Sequence, residues 1–194
     1  MEKERLAAFS DGVLAIIITI MVLELKAPHG GEPGDLVKLI PGFLSYVLSF
    51  IYIAIYWNNH HHMLAAVRRV NGSVLWANMH LLFWLSLIPF TTAWLGENHF
   101  SRWPTALYGV VLLGAAIAYV ILQTTIMRAQ GPDSLLAHAI GGDRKGKLSL
   151  ALYAAAVGLA FVTPLASSLI FVLVALIWLA PDRRIERLLA RSEK

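Results

Sequence analysis

The 194-residue chain has no cysteine, and charged residues make up only 14% of it. Without thiols there is neither a disulfide framework nor a thiolate metal site. The shortage of charge says more. Soluble domains carry about 25% charged and about 45–50% apolar residues, whereas 58% of this chain is hydrophobic. The signatures of catalysis are missing too: there is no G-x-S-x-G, no H-E-x-x-H and no glycine-rich phosphate loop. No enzyme is expected. A TVGYG-like stretch is absent as well, which excludes a selectivity filter of that kind built from backbone carbonyls.

What is present is long apolar runs bounded by Trp, Tyr and charge, the pattern required by a hydrocarbon core about 30 Å thick. The chain therefore reads as an all-α polytopic membrane protein forming one unit over residues 1–194. Its net charge of +4 reports membrane orientation rather than nucleic-acid binding. Six spans fit, at about 6–25, 36–57, 73–94, 105–127, 148–163 and 166–180, followed by a basic tail at 182–194. The first is not a signal peptide: Asp11 interrupts it, and Glu24-Leu25-Lys26 closes it without a small-residue cleavage site.

Two features set the count at six. The block 148–180 runs 33 residues without a charge, longer than one ordinary span, and Pro164 is its natural break. Six spans with both termini on one side place thirteen of the lysines and arginines there and three opposite. By the positive-inside rule both ends are then cytoplasmic. The tail, with Ile185, Leu188 and Leu189 opposite Arg183, Arg187 and Arg191, is expected to be a short amphipathic helix at that surface. Gly109 and Gly114 offer close helix approach. There is no visible internal repeat, which favours assembly from several copies over a self-contained inverted-repeat transporter.

The first run carries the unusual chemistry. At about 100° per residue Gly12, Ile16, Ile20 and Leu23 share one stripe with Thr19 beside it, while Asp11 points elsewhere. Ionisable groups at membrane depth are costly and functional by default. Two readings of Arg5 and Asp11 stand. Either they snorkel to the headgroups, or Asp11 is held in a polar network by Asn58, Asn59, His60, His61, His62, Asn78 or His80. The run His60-His61-His62 is a poor metal site, since consecutive helical residues diverge and no acid or cysteine lies near it in sequence. The aliphatic stripe is either ordinary packing or the wall of a pore gated by dewetting. One helix cannot enclose a pore, so the second reading needs several subunits.

Arg5-x-x-x-Phe9-Ser10-Asp11-Gly12, leading through Ala15-Ile16-x-x-Thr19 to Leu23-Glu24-Leu25-Lys26-x-Pro28, resembles the bacterial branch of the transmembrane protein 175 family, the lysosomal potassium channels and their prokaryotic relatives. The stretches Trp57-x-x-His60-His61 and Asn78-x-x-Leu81-Leu82-x-x-x-Ser86-Leu87-x-Pro89-Phe90-x-Thr92 are similar to its second and third helices. The likeness covers about the first half of the chain. It implies a six-helix subunit assembling as a homotetramer, with the first helices around a central cation pore in a bacterial plasma membrane. It also implies a network of Arg5, Phe9, Ser10 and Asp11 with His60, His61, Asn78 and His80. Ile16, Ile20 and Leu23 are then constriction rings and Thr19 a polar step between them. Glu24 either forms an acidic ring at the mouth or pairs with Lys26. No cofactor and no metal are expected. The permeant ion is potassium, with sodium or caesium as further candidates, and the partners are the bilayer and further copies of the chain, not nucleic acid. The rival readings are a proton-coupled secondary transporter and a non-conducting scaffold. Saturable, gradient-coupled flux marks the first, and an aliphatic stripe that matters only for stability marks the second.

Overall fold

The structure, a computed structural model, describes residues 3–67, 70–131 and 143–179. Among them helix is the only regular secondary structure, as suits backbone that has no water to bond to in a membrane. The basic tail 182–194, the pair at 68 and 69 and most of the linker between the fourth and fifth spans lie outside the described residues.

Helix α1 (Lys3–Leu23) runs the length of the first apolar stretch and stops where Pro28, Gly30 and Gly31 follow. A single turn and a half, α2 (Pro33–Val37), opens on proline, whose missing N–H costs nothing in a first turn. The second apolar stretch forms α3 (Ile40–Ala65), again with proline in its first turn. Asn71 caps α4 (Gly72–Ser86), its side chain accepting from the Val74 N–H at 3.0 Å. The third expected span is in fact two helices. Pro89 has no N–H to continue the ladder, so α4 closes at Ser86 and α5 (Ile88–Glu97) starts after the single residue Leu87. Then come α6 (Arg102–Gln130), α7 (Arg144–Leu159), capped by Asp143, and α8 (Pro164–Leu179). The last apolar block is divided at Pro164, with four residues between its helices.

By length and composition four segments are able to cross a membrane: α1, α3, residues 72–97 and α6. The helices α7 and α8 have 16 residues each and are shorter than those four. Helix α6 is the centre of the bundle, with α4, α5, α7 and α8 packed on it, whereas α1 lies at the edge against α3, α4 and α5.

Small residues let large ones reach the centre. A Cβ on Gly114 would lie 2.4 Å from the Trp84 ring, and one on Gly109 would lie 2.9 Å from Phe171. Buried hydroxyls add bonds between helices: Thr92 donates to Ser49 at 2.7 Å, Ser49 pairs with Tyr108 at 2.9 Å, and Tyr52 donates to the Phe171 carbonyl at 2.6 Å. Without a strong hydrophobic drive between helices in lipid, such packing and bonding hold the bundle together. Gly114→Val should therefore push Trp84 off α6 and cost about 1–3 kcal/mol, the usual range for overpacking. Thermal melting of the detergent-solubilised protein checks this, and an unchanged midpoint would mean that Trp84 is free to move.

Candidate pore-lining helix and its polar anchor

Helix α1 has two faces of different character. Leu6, Ser10, Leu14, Ile17 and Met21 are buried in the bundle. On the other side Ile16, Ile20 and Leu23 are 60, 42 and 75% exposed, and Gly12 and Thr19 are exposed with them. Thr19 satisfies its own hydroxyl by donating to the Ala15 carbonyl at 2.8 Å. At 1.5 Å per residue the run from Ile16 to Leu23 is about 10 Å long. Every residue assigned to the stripe is thus on the bare face.

The buried face is fixed by hydrogen bonds. Ser10 Oγ donates to the Leu6 carbonyl at 2.9 Å and accepts from Asn78 Nδ2 at 3.0 Å. The Asn78 Oδ1 atom lies 2.7 Å from His60 Nε2, and with Nδ2 turned to Ser10 that oxygen accepts and His60 donates. Ser10, Asn78 and His60 come from α1, α4 and α3 and are all but inaccessible. Lys3 adds a bond from its ammonium to the Ala65 carbonyl at the end of α3, at 2.9 Å.

Other residues expected in that network stand apart from it. Consecutive helical residues diverge by about 100°, so with Ser10 facing inward Phe9 and Asp11 fall on opposite flanks. Phe9 is half exposed. Arg5 is exposed and makes no hydrogen bond or ion pair among the described residues. Asp11 is exposed too, and Oδ1 accepts from Trp57 Nε1 at 2.9 Å rather than from any of the histidines or asparagines expected. His61 lies beside Trp57, ring centres 5.8 Å apart. His80 accepts from Trp84 Nε1, one turn along the same helix, at 3.0 Å. Asn59 donates to the Ile55 carbonyl at 2.8 Å. Trp57 is the residue that reading by charge and amide chemistry overlooked. In the structure it lies eight residues before the end of α3, as Asp11 lies eight residues after the start of α1, whereas the expected span ended at Trp57 itself.

Glu24 follows α1 and is exposed. Lys26, the alternative partner for it, bonds Glu97 instead at 2.8 Å, joining the far ends of α1 and α5. That hydrogen bond and the Glu97 charge hold the Lys26 ammonium above its ordinary pKa, with a smaller push from Glu24.

A helical bundle with one such two-faced helix at its edge takes its class, a membrane ion channel and not an enzyme, from its relatives. Residues 5–89 match the family described as endosomal/lysosomal potassium channel TMEM175. A potassium channel of Chryseobacterium sp. (strain P1-3) is 53% identical over 99% of this chain and 100% of its own. A potassium channel of Streptomyces collinus is 35% identical, with 66% of each chain covered. The crystal structure of a lysosomal potassium-selective channel TMEM175 homolog from Chamaesiphon minutus superposes with a TM-score of 0.82 at 29% identity, covering 93% of this chain and 98% of that one. The chain belongs to the TMEM175 family.

Proposed function

We propose that the chain is the subunit of a homotetrameric, potassium-permeable cation channel of the bacterial plasma membrane, with six spans and both termini cytoplasmic. The observation that carries this reading is the bare aliphatic face of α1, from Ile16 to Leu23, on a helix anchored from behind by Ser10, Asn78 and His60. A helix held on one side and apolar on the other is suited to line a pore around a symmetry axis, and large aliphatic side chains gate such a pore by dewetting. Ile16 forms the ring on the cytoplasmic side, with Thr19, Ile20 and Leu23 successively beyond it. The potassium channels named among the relatives supply the permeant ion, and sodium and caesium are expected to pass less readily.

Current through purified protein in a planar bilayer, under a potassium gradient and then with sodium on one side, tests the reading. Discrete cation-selective openings are expected. Saturable, gradient-coupled flux without openings would replace the channel with a transporter.

Glu24 gives this reading an outer mouth. With Lys26 engaged by Glu97, four Glu24 carboxylates concentrate cations at the entrance. Glu24→Gln should lower single-channel conductance about twofold at low salt, where the Debye length is about 30 Å, and have no effect near 1 M, where it is about 3 Å. A loss that is independent of salt would place Glu24 elsewhere.

A further inference from the structure

His80 and Asp11 are exposed on the single subunit, yet each lies within a segment able to cross a membrane, and each is only half bonded. His80 Nε2 accepts from Trp84. A neutral ring that accepts through Nε2 carries its proton on Nδ1, and that N–H has no partner among the described residues. Asp11 uses Oδ1 for Trp57, and its second oxygen is likewise without a partner among them. Asp11 stands eight residues into α1 and His80 eight residues into α4, each about 12 Å along. A donor and an acceptor therefore wait at one depth, where lipid offers neither a partner.

They do not face each other within the subunit. Trp57 holds Asp11 on the α3 flank of α1, while His80 belongs to the exposed stripe of α4, with Trp76, Met79 and Phe83. In a ring of subunits with α1 innermost, the α3 flank of one copy meets the α4 flank of the next, a head-to-tail contact that closes on itself. We infer that this is the subunit seam, and that His80 Nδ1–H of one copy donates to the free carboxylate oxygen of the neighbouring copy's Asp11. The occupant of the exposed α4 stripe is then a second copy of this chain, not lipid. The inference rests on the tetramer proposed above.

The absence of cysteine makes the test clean, because introduced thiols are the only ones. His61→Cys and Trp76→Cys sit at matching levels, four residues from the end of α3 and the start of α4. Carried together in one chain and treated with a short bis-maleimide, they should give a covalent ladder ending at four times the subunit mass. Each alone should give none, since neither meets itself across a head-to-tail seam. Pairing His61→Cys with Leu176→Cys on α8 should also give none. A particle tetrameric by native mass that ladders through the α8 pair, or not through the α3–α4 pair, would overturn the seam while leaving the tetramer standing. A particle that is not tetrameric removes the assembly and the seam with it. The hydrogen bond has its own readout. His80→Ala and Asp11→Asn should each lower the tetramer melting temperature by a few degrees, and the double variant should be no worse than the poorer single. Additive losses would separate the two residues.

Discussion

Ile16→Asn should raise potassium current about tenfold and weaken discrimination between cations, with the protein still folding and assembling. The side chain is 60% exposed, so the change leaves the subunit interior untouched. If α1 lines the pore as proposed, what the change alters is the wall that an ion meets on the axis. An aliphatic ring offers no oxygen in place of lost hydration, whereas an amide does, and a barrier lower by about 1.4 kcal/mol is a factor of ten in rate. The neighbouring position supplies the control. Ile17 is 3% exposed and faces the bundle, where an unpaired amide costs about 1–3 kcal/mol. Ile17→Asn should therefore lose stability without gaining conductance. If Ile16→Asn behaves like Ile17→Asn, the stripe is packing and the scaffold reading stands.

These two positions also show how much of the molecule was legible in the sequence. The stripe of Gly12, Ile16, Ile20 and Leu23 follows from helical periodicity alone, because a membrane span leaves the backbone one conformation and the wheel then assigns the faces. The same constraint made the division at Pro164 readable from length and proline chemistry. Pro89 lies inside the expected span 73–94, and its missing N–H divides that span into α4 and α5. Partner choice was less accessible. Ser10, Asn78 and His60 were named as candidates, yet nothing in the sequence separates them from Arg5, Phe9 and Asp11. Only the azimuth of each residue relative to α3 and α4 does so, and that is set by packing across chain separations of 18 to 68 residues. Lys26 shows the same limit: Glu24 is nearer in sequence, but Glu97 is nearer in space.

Asn78→Leu should be the most damaging single change in the site, and it tests whether the anchor or the exposed acid holds α1 in place. Leucine fills similar space but ends both bonds, leaving Ser10 Oγ without its donor and His60 Nε2 without its acceptor, both buried. Ser10 Oγ keeps its bond to the Leu6 carbonyl, so the stranded group is the His60 N–H, at about 1–3 kcal/mol, and the lost Asn78–Ser10 bond adds about 1 kcal/mol, about 2–4 kcal/mol together. For a chain of this size each kcal/mol moves the melting temperature by about 2–4 °C, so a fall of about 4–16 °C is expected. Asp11→Asn keeps an oxygen for Trp57 and should fall far less. The consequence for function follows from where the anchor sits. The Ser10–Asn78–His60 chain is the buried bonded link from the first half of α1 to the helices behind it, so its loss should free α1 to tilt and open the proposed aliphatic rings to water. Amide hydrogen exchange across α1 should accelerate in Asn78→Leu ahead of exchange in α6, which sits at the centre of the bundle. Equal acceleration in both helices would mean that the anchor stabilises the whole bundle rather than α1, and a melting temperature within about 2 °C of the parent would mean that α1 is held by its apolar contacts and by the bonds of Lys3 and Asp11.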